Sequence, residues 1–193
     1  MKVRIIGFVF MLCTMVVLSG CGQKEIKNAQ NWPVKDFAYT NQEGKPFGSK
    51  NLKGKVWVAD FVFTSCADVC PPMTSNMAAL QKKVKEKGIK NIEFISFSVD
   101  PTVDSPAALK KYAAQFGANF KNWNLLTGYS QDEIENKAMK DFKTIVKKPQ
   151  EGNQVIHGTD FYLIDQEGTI KKYYSGLQEV PYDEILNDME ALQ

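Results

Sequence analysis

The sequence predicts an α/β fold: a mixed central sheet flanked by helices, with a β-hairpin at its N-terminal end. Three observations carry this. Short β-prone apolar runs alternate with segments of helical periodicity along most of the chain. Two strand-like runs split by turn residues stand at each end of that alternation, adding antiparallel pairs to the sheet. One run, from Val56 to Phe63, is almost continuously apolar, as suits a central strand covered on both faces.

Taken in order, Phe37-Ala38-Tyr39-Thr40 alternates. Asn41-Gln42-Glu43-Gly44-Lys45 turns, and Phe47 begins a return strand, so the pair reads as a hairpin. Leu52-Lys53-Gly54-Lys55 connects to the apolar run, in which Asp60 is the one charged residue. It suits either a buried functional carboxylate or a hydrogen-bonded strand residue. Pro71 and Pro72 then open a helix, since an N–H missing from a first turn costs nothing. Met73, Met77 and Leu80 give its apolar stripe, and Gly88 ends it. Ile92 to Val99 is a strand. Ser105-Pro106 caps a helix with Leu109, Tyr112, Ala113 and Phe116 on one face. Trp123 to Gly128 contains a short strand, and Ser130-Gln131-Asp132-Glu133 has the form of a capping box before a further helix. Phe161 to Ile164 and Ile170 to Tyr174 flank the turn Asp165-Gln166-Glu167-Gly168 as a second hairpin. Pro181-Tyr182-Asp183-Glu184 starts the last helix.

The first residues read differently. Lys2 and Arg4 precede an apolar stretch from Ile5 to Leu18, too short and too soon followed by polar residues for a spanning helix. Residues 1–20 therefore read as a signal peptide. Leu18-Ser19-Gly20-Cys21 resembles a bacterial lipobox, which implies cleavage before Cys21 and lipidation of its thiol. Residues 21–31 are a polar tether, of which ten extended residues reach at most roughly 35 Å. Residues 32–193 form one domain, of a size that buries a substantial core. The expected location is the cell membrane, lipid-anchored, on the extracytoplasmic face.

Charge excludes little and suggests little. The net charge of +2 comes from Lys2 and Arg4; without them 22 basic residues face 22 acidic ones. The lysines from Lys82 to Lys90 alternate with other polar residues and read as a solvated helix face, not a nucleic-acid footprint. Nothing demands more than a monomer.

Four cysteines are present: Cys13, Cys21, Cys66 and Cys70. Processing discards Cys13 and lipidates Cys21, leaving Cys66 and Cys70 outside the cytoplasm, where disulfides persist. Such a pair can be a structural bridge, a redox couple or a metal site. Strand, cysteine loop and helix follow in the order of a thioredoxin-like fold, but the spacing is Cys-x-x-x-Cys rather than Cys-x-x-Cys. The longer loop can aim both sulfurs at one point, and the helix N-terminus is expected to favour thiolate at Cys70. Thiolates suit Cu(I) or Zn(II) and leave room for a third donor. His157 is the only imidazole in the chain. Copper and zinc both accept imidazole, but a lone histidine is commonly just a loop residue.

A resemblance narrows these options. Phe63-Thr64-Ser65-Cys66-Ala67-Asp68-Val69-Cys70-Pro71 is similar to the Phe-Thr-x-Cys-x-x-x-Cys-Pro motif of the Sco/SenC family of copper proteins. Ser98-Val99-Asp100-Pro101 with Asp104-Ser105-Pro106 and Tyr112 resembles that family's second block. Leu126-Thr127-Gly128, and Ile156-His157 with Phe161 to Asp165, resemble its third and fourth. The departures are small: Thr102-Val103 replaces a more polar pair, and Gly158 stands where serine is common. The resemblance implies a membrane tether and copper, as Cu(I) or Cu(II), held by Cys66, Cys70 and His157. It also implies a role in assembling the binuclear copper (CuA) centre of cytochrome c oxidase, so that the oxidase's copper-bearing subunit is the expected partner.

Asp100 is a possible auxiliary donor, since a strand end beside the cysteine loop faces the same rim; a turn residue before Pro101 is the plainer reading. Met73 and Met77 suit core packing better than thioether ligation. The competing function is a thiol-disulfide oxidoreductase using a Cys66–Cys70 redox disulfide to keep an acceptor's cysteines reduced. Metal transfer needs His157; disulfide exchange does not. A peroxidase is disfavoured because Arg4 is the only arginine, and a structural zinc site because three ligands do not close a tetrahedron.

Overall fold

The computed structural model describes residues 26–193, so the signal segment, the lipobox and Cys21 lie outside the described residues. The chain enters through β1 (Trp32–Pro33), β2 (Ala38–Asn41), β3 (Pro46–Gly48) and α1 (Ser49–Leu52). It continues through β4 (Val56–Val62), α2 (Cys70–Lys87), β5 (Ile92–Ser98), α3 (Pro106–Ala114), β6 (Trp123–Thr127) and α4 (Gln131–Lys140). It closes with β7 (Val146–Lys147), β8 (Ile156–His157), β9 (Asp160–Ile164), β10 (Thr169–Ser175) and α5 (Tyr182–Ala191).

Eight strands form one sheet in the order β1-β10-β9-β4-β5-β6-β2-β3. The centre, β4-β5-β6, is parallel, and antiparallel pairs close both sides. The fold is thioredoxin-like with a mixed sheet, as the alternation of elements predicts. Every residue of β4 is buried. Its side chains alternate between two cores. Val56, Val58 and Val62 join Met73, Met77, Leu80 and Val84 of α2. Trp57, Ala59 and Phe61 join Phe97, Phe142 and Tyr162 on the opposite face. Each valine, leucine, methionine or phenylalanine among them contributes about 1.5–3 kcal/mol on burial. Met73 and Met77 are fully buried core residues, so their spacing reflects packing.

Local signals hold where the sequence states them strongly. The prolines occupy the first turn of α2, and Gly88 takes the left-handed conformation (φ 76°) that ends it. Ser105 caps α3 through the Ala108 N–H. Ser130 accepts from the Glu133 N–H, but the reciprocal half of the expected capping box is not formed: Glu133 is turned toward the Tyr39 hydroxyl. The two hairpins form, as β2–β3 and β9–β10. Three features carry no periodic signal. These are β1, which pairs with β10; α1; and the small separate sheet β7–β8, in which Val146 pairs with His157. The chain ahead of β1 also joins the sheet, since the Gln30 N–H donates to the Lys171 carbonyl at 2.7 Å.

Candidate metal centre

The site lies at the C-terminal end of β4. Past β4, Phe63 is buried and the chain loops through Thr64 and Ser65 to Cys66. Asp104 locks this loop from below. It accepts from the Thr64 N–H (3.2 Å) and the Thr64 hydroxyl (2.6 Å), and from the Ser98 hydroxyl (2.6 Å). Burial holds the Asp104 carboxyl above its usual range in spite of these donors. Cys70 is the first residue of α2 and is fully buried; Cys66 is 8% exposed. Both are free thiols.

His157 reaches the same point from the β7–β8 hairpin. Its donor nitrogen and the two sulfurs all lie within 4.8 Å of one another. Nε2 is 3.2 Å from Cys70 Sγ, and Nδ1 is 2.8 Å from the Gly158 carbonyl. A carbonyl only accepts, so Nδ1 carries the proton and Nε2 turns its lone pair to the sulfurs. A metal-ligating histidine ordinarily has this arrangement, with the second nitrogen held by a backbone acceptor. Phe63 packs edge-on against the imidazole at 5.8 Å.

The electrostatics correct one expectation. The first N–H of α2, that of Cys70, does not stabilise its own sulfur; it donates to Cys66 Sγ at 3.2 Å. Burial opposes ionisation of Cys66, but its contacts with the His157 ring, with the Cys70 thiol and with the backbone at Asp68 and Cys70 outweigh it and draw the thiol to about 7. Burial, and then the neighbouring Cys66, push the Cys70 thiol well above its usual value. The helix terminus thus favours thiolate at Cys66 rather than Cys70.

Asp100 is not among the convergent donors. It is buried beside the site, and its Oδ1 pairs with Lys148 Nζ at 2.6 Å and accepts from the Thr102 hydroxyl at 3.0 Å. Asp68 is exposed. Asp60 is fully buried beneath α2, and neither of its oxygens has a hydrogen-bond partner among the described residues. Burial pushes its carboxyl up to about 7, which the nearby Ser96 hydroxyl and His157 offset only in part. Sequence reasoning missed Asp104 and Lys148, which act across 40 and 48 positions. The Asp104-Ser105-Pro106 block was the only signal for the first.

Two thiols and one imidazole make a three-donor set that fits copper. Fold and site together define a thioredoxin-like protein whose dithiol and histidine lie close enough to share one metal ion. The SCO1/SenC family model matches residues 26–192, and the chain belongs to that family. It is 49% identical over 174 residues to the SCO1 protein homolog of Bacillus subtilis (strain 168), covering 90% of both chains. The structure superimposes on a SCO1/SenC family lipoprotein from Bacillus anthracis with a TM-score of 0.84 at 53% identity, over 87% of this chain and 99% of that one. A second solved structure, of BsSco, is described as a Sco family cytochrome c oxidase assembly protein with a disulfide switch. It matches with a TM-score of 0.80 at 50% identity, over 86% and 96% of the two chains. Arabidopsis thaliana ScoI has been solved with copper bound and matches at 0.68 and 27% identity, over 81% and 96%.

Proposed function

We propose that this chain is a membrane-tethered copper metallochaperone for the CuA centre of cytochrome c oxidase. The observation that carries the reading is the convergence of Cys66, Cys70 and His157 within 4.8 Å. Copper-bound structures of relatives and the description of a relative as an oxidase assembly protein support it. Cu(I) suits the two thiolates, and Cu(II) recruits the harder imidazole as well. Delivery proceeds by ligand exchange to the oxidase's copper-bearing subunit, from a monomer held at the extracytoplasmic face by lipid on Cys21. A lipoprotein among the relatives supports the anchor. Among the described residues no helix is long and apolar enough to cross a membrane.

The second reading, thiol-disulfide exchange with the acceptor's cysteines, is favoured by the asymmetry of the pair. The Cys66 thiolate would attack a substrate disulfide, forming a mixed disulfide and expelling one substrate thiol. The Cys70 sulfur would then resolve it, releasing the second substrate thiol and leaving a Cys66–Cys70 disulfide.

Copper titration of the reduced protein separates the two. The expected result is one tight equivalent with a sulfur-to-copper charge-transfer band. That band is lost in Cys66→Ser and Cys70→Ser and weakened in His157→Ala. If copper binds only weakly while disulfide exchange is fast and indifferent to His157→Ala, the oxidoreductase reading stands instead.

A further inference from the structure

The thiols and the imidazole belong to different parts of the fold, so something must set one against the other. The cysteine loop springs from β4, whose end is tied to the end of β5 by the Val99 N–H donating to the Val62 carbonyl. His157 stands on a strand of two residues paired only with β7, outside the eight-stranded sheet. Downstream, Gly158 and Thr159 connect it directly to β9. Upstream, residues 148–155 leave β7 and return to it as a loop. Gln154 touches the cysteine loop through one exposed bond to the Ser65 carbonyl at 3.2 Å. Glu135 of α4 holds the root of the hairpin, accepting from the Lys148 N–H at 3.0 Å and pairing with Lys147 at 2.9 Å.

The Lys148 side chain does something else. It reaches across to Asp100, and its Nζ also meets the Thr102 hydroxyl at 2.9 Å. The Asp100 and Lys148 side chains are 4% and 28% exposed, so the pair is shielded from much of the screening that weakens surface ion pairs. Asp100 is itself held through its backbone. Its N–H donates to the Ser98 hydroxyl, and its carbonyl accepts from the N–H groups of Val103 and Asp104. Asp104 is the residue that locks the thiol loop. The pair therefore ties the imidazole's hairpin to the very turn that anchors the thiols.

We propose that Lys148 and Asp100 are positioning residues: their ion pair sets His157 against the dithiol and governs the form of copper binding that needs imidazole. Two-thiolate binding of Cu(I) does not depend on it. The inference rests on the three-donor reading of the site.

The test uses the full chain, reduced, with Cu(I) and Cu(II) titrated separately into wild type, Lys148→Met, Lys148→Arg, Asp100→Asn and His157→Ala. Lys148→Met and Asp100→Asn are expected to weaken Cu(II) about tenfold, as loss of an orienting partner does. The charge-transfer band should shift toward that of His157→Ala, while Cu(I) affinity stays within about twofold of wild type because both thiolates remain. Lys148→Arg, which keeps the ion pair, restores most of the Cu(II) affinity. In the metal-free protein, amide exchange at Val146 and His157 should accelerate in Lys148→Met, with the amides of β4 and β5 unchanged. Equal losses of Cu(I) and Cu(II), or hairpin exchange identical to wild type, overturn the clip. If His157→Ala binds Cu(II) as wild type does, the three-donor reading fails first, and unaltered hairpin exchange would then separately reject the mechanical claim.

Discussion

Cys66 and Cys70 follow a central strand buried along its whole length, whereas His157 stands on a two-stranded sheet outside the main one. The thiol loop is rooted in that strand, capped by an eighteen-residue helix, and locked by two hydrogen bonds from Thr64 to Asp104, which the Ser98 hydroxyl holds in turn. The imidazole stands on a two-residue strand whose hairpin is tied down by Glu135, by Gln154 and by the Lys148–Asp100 pair, and the ring itself meets the Gly158 carbonyl, Phe63 and the Cys70 thiol. Donors on a rigid base form a site whose geometry is ready before metal arrives. A donor on a lightly held hairpin can engage or withdraw without disturbing the core. That division suits the proposed delivery of copper, in which one ligand is exchanged while two keep hold.

The strongest way to break this contrast is to unlock the thiol side. Asp104→Ala leaves the Thr64 N–H and the Thr64 and Ser98 hydroxyls without their acceptor. The expected cost is about 3–5 kcal/mol, because bonds to a charged group are each worth about 1.5–3 kcal/mol and buried donors are left unpaired. Denaturant unfolding measures this, and a loss below about 1 kcal/mol would show that the loop holds itself. Copper binding in any folded fraction should weaken for Cu(I) and Cu(II) alike, unlike the effect of Lys148→Met.

Asp60 tests the same half by pH. Its folded value, about 7, lies above the ordinary 3.8, so between the two the native state holds a proton that the unfolded chain releases. Stability then falls as pH rises from about 4 to 7, by at most about 4 kcal/mol at 1.36 kcal/mol per unit. Asp60→Asn removes the titration. The advantage of the variant over wild type in urea melts should therefore widen across that window and stay constant above it. A gap that does not change with pH would mean that the carboxyl is not strained by burial.

These residues also mark where the sequence is legible. The central strand and the bounds of α2 could be read because each rests on local chemistry: an unbroken apolar run, two prolines at a helix start, a glycine at its end. The three donors could be named because cysteines are scarce and the histidine is single. The roles of Asp104 and Lys148 could not, since their partners lie 40 and 48 positions away; the family block marks Asp104 without its contact, and nothing beside Lys148 announces one. Strands of two residues, such as β1 and β8, have no periodicity to detect. The placement of thiolate at Cys70 failed for a geometric reason. A helix terminus acts on whatever its first N–H points at, and that N–H points at Cys66.

The mildest expected effect concerns Gly158, whose carbonyl fixes the imidazole tautomer. A Cβ at this position would run into the Thr144 hydroxyl. Gly158→Ser must therefore push Thr144 aside. Overpacking a tight site costs about 1–3 kcal/mol, and the lower end applies because the obstacle is the tip of a side chain. Thr144→Ala in the same chain should recover the loss. The thiol half lies outside this contact, so Cu(I) affinity should be unchanged in both variants, while Cu(II) affinity falls slightly in Gly158→Ser and returns in the pair. Thermal melts together with the two titrations decide it. If Thr144→Ala gives no relief, Gly158 is needed by the His157 backbone itself, and the hairpin is more tightly specified than its two-residue strands suggest.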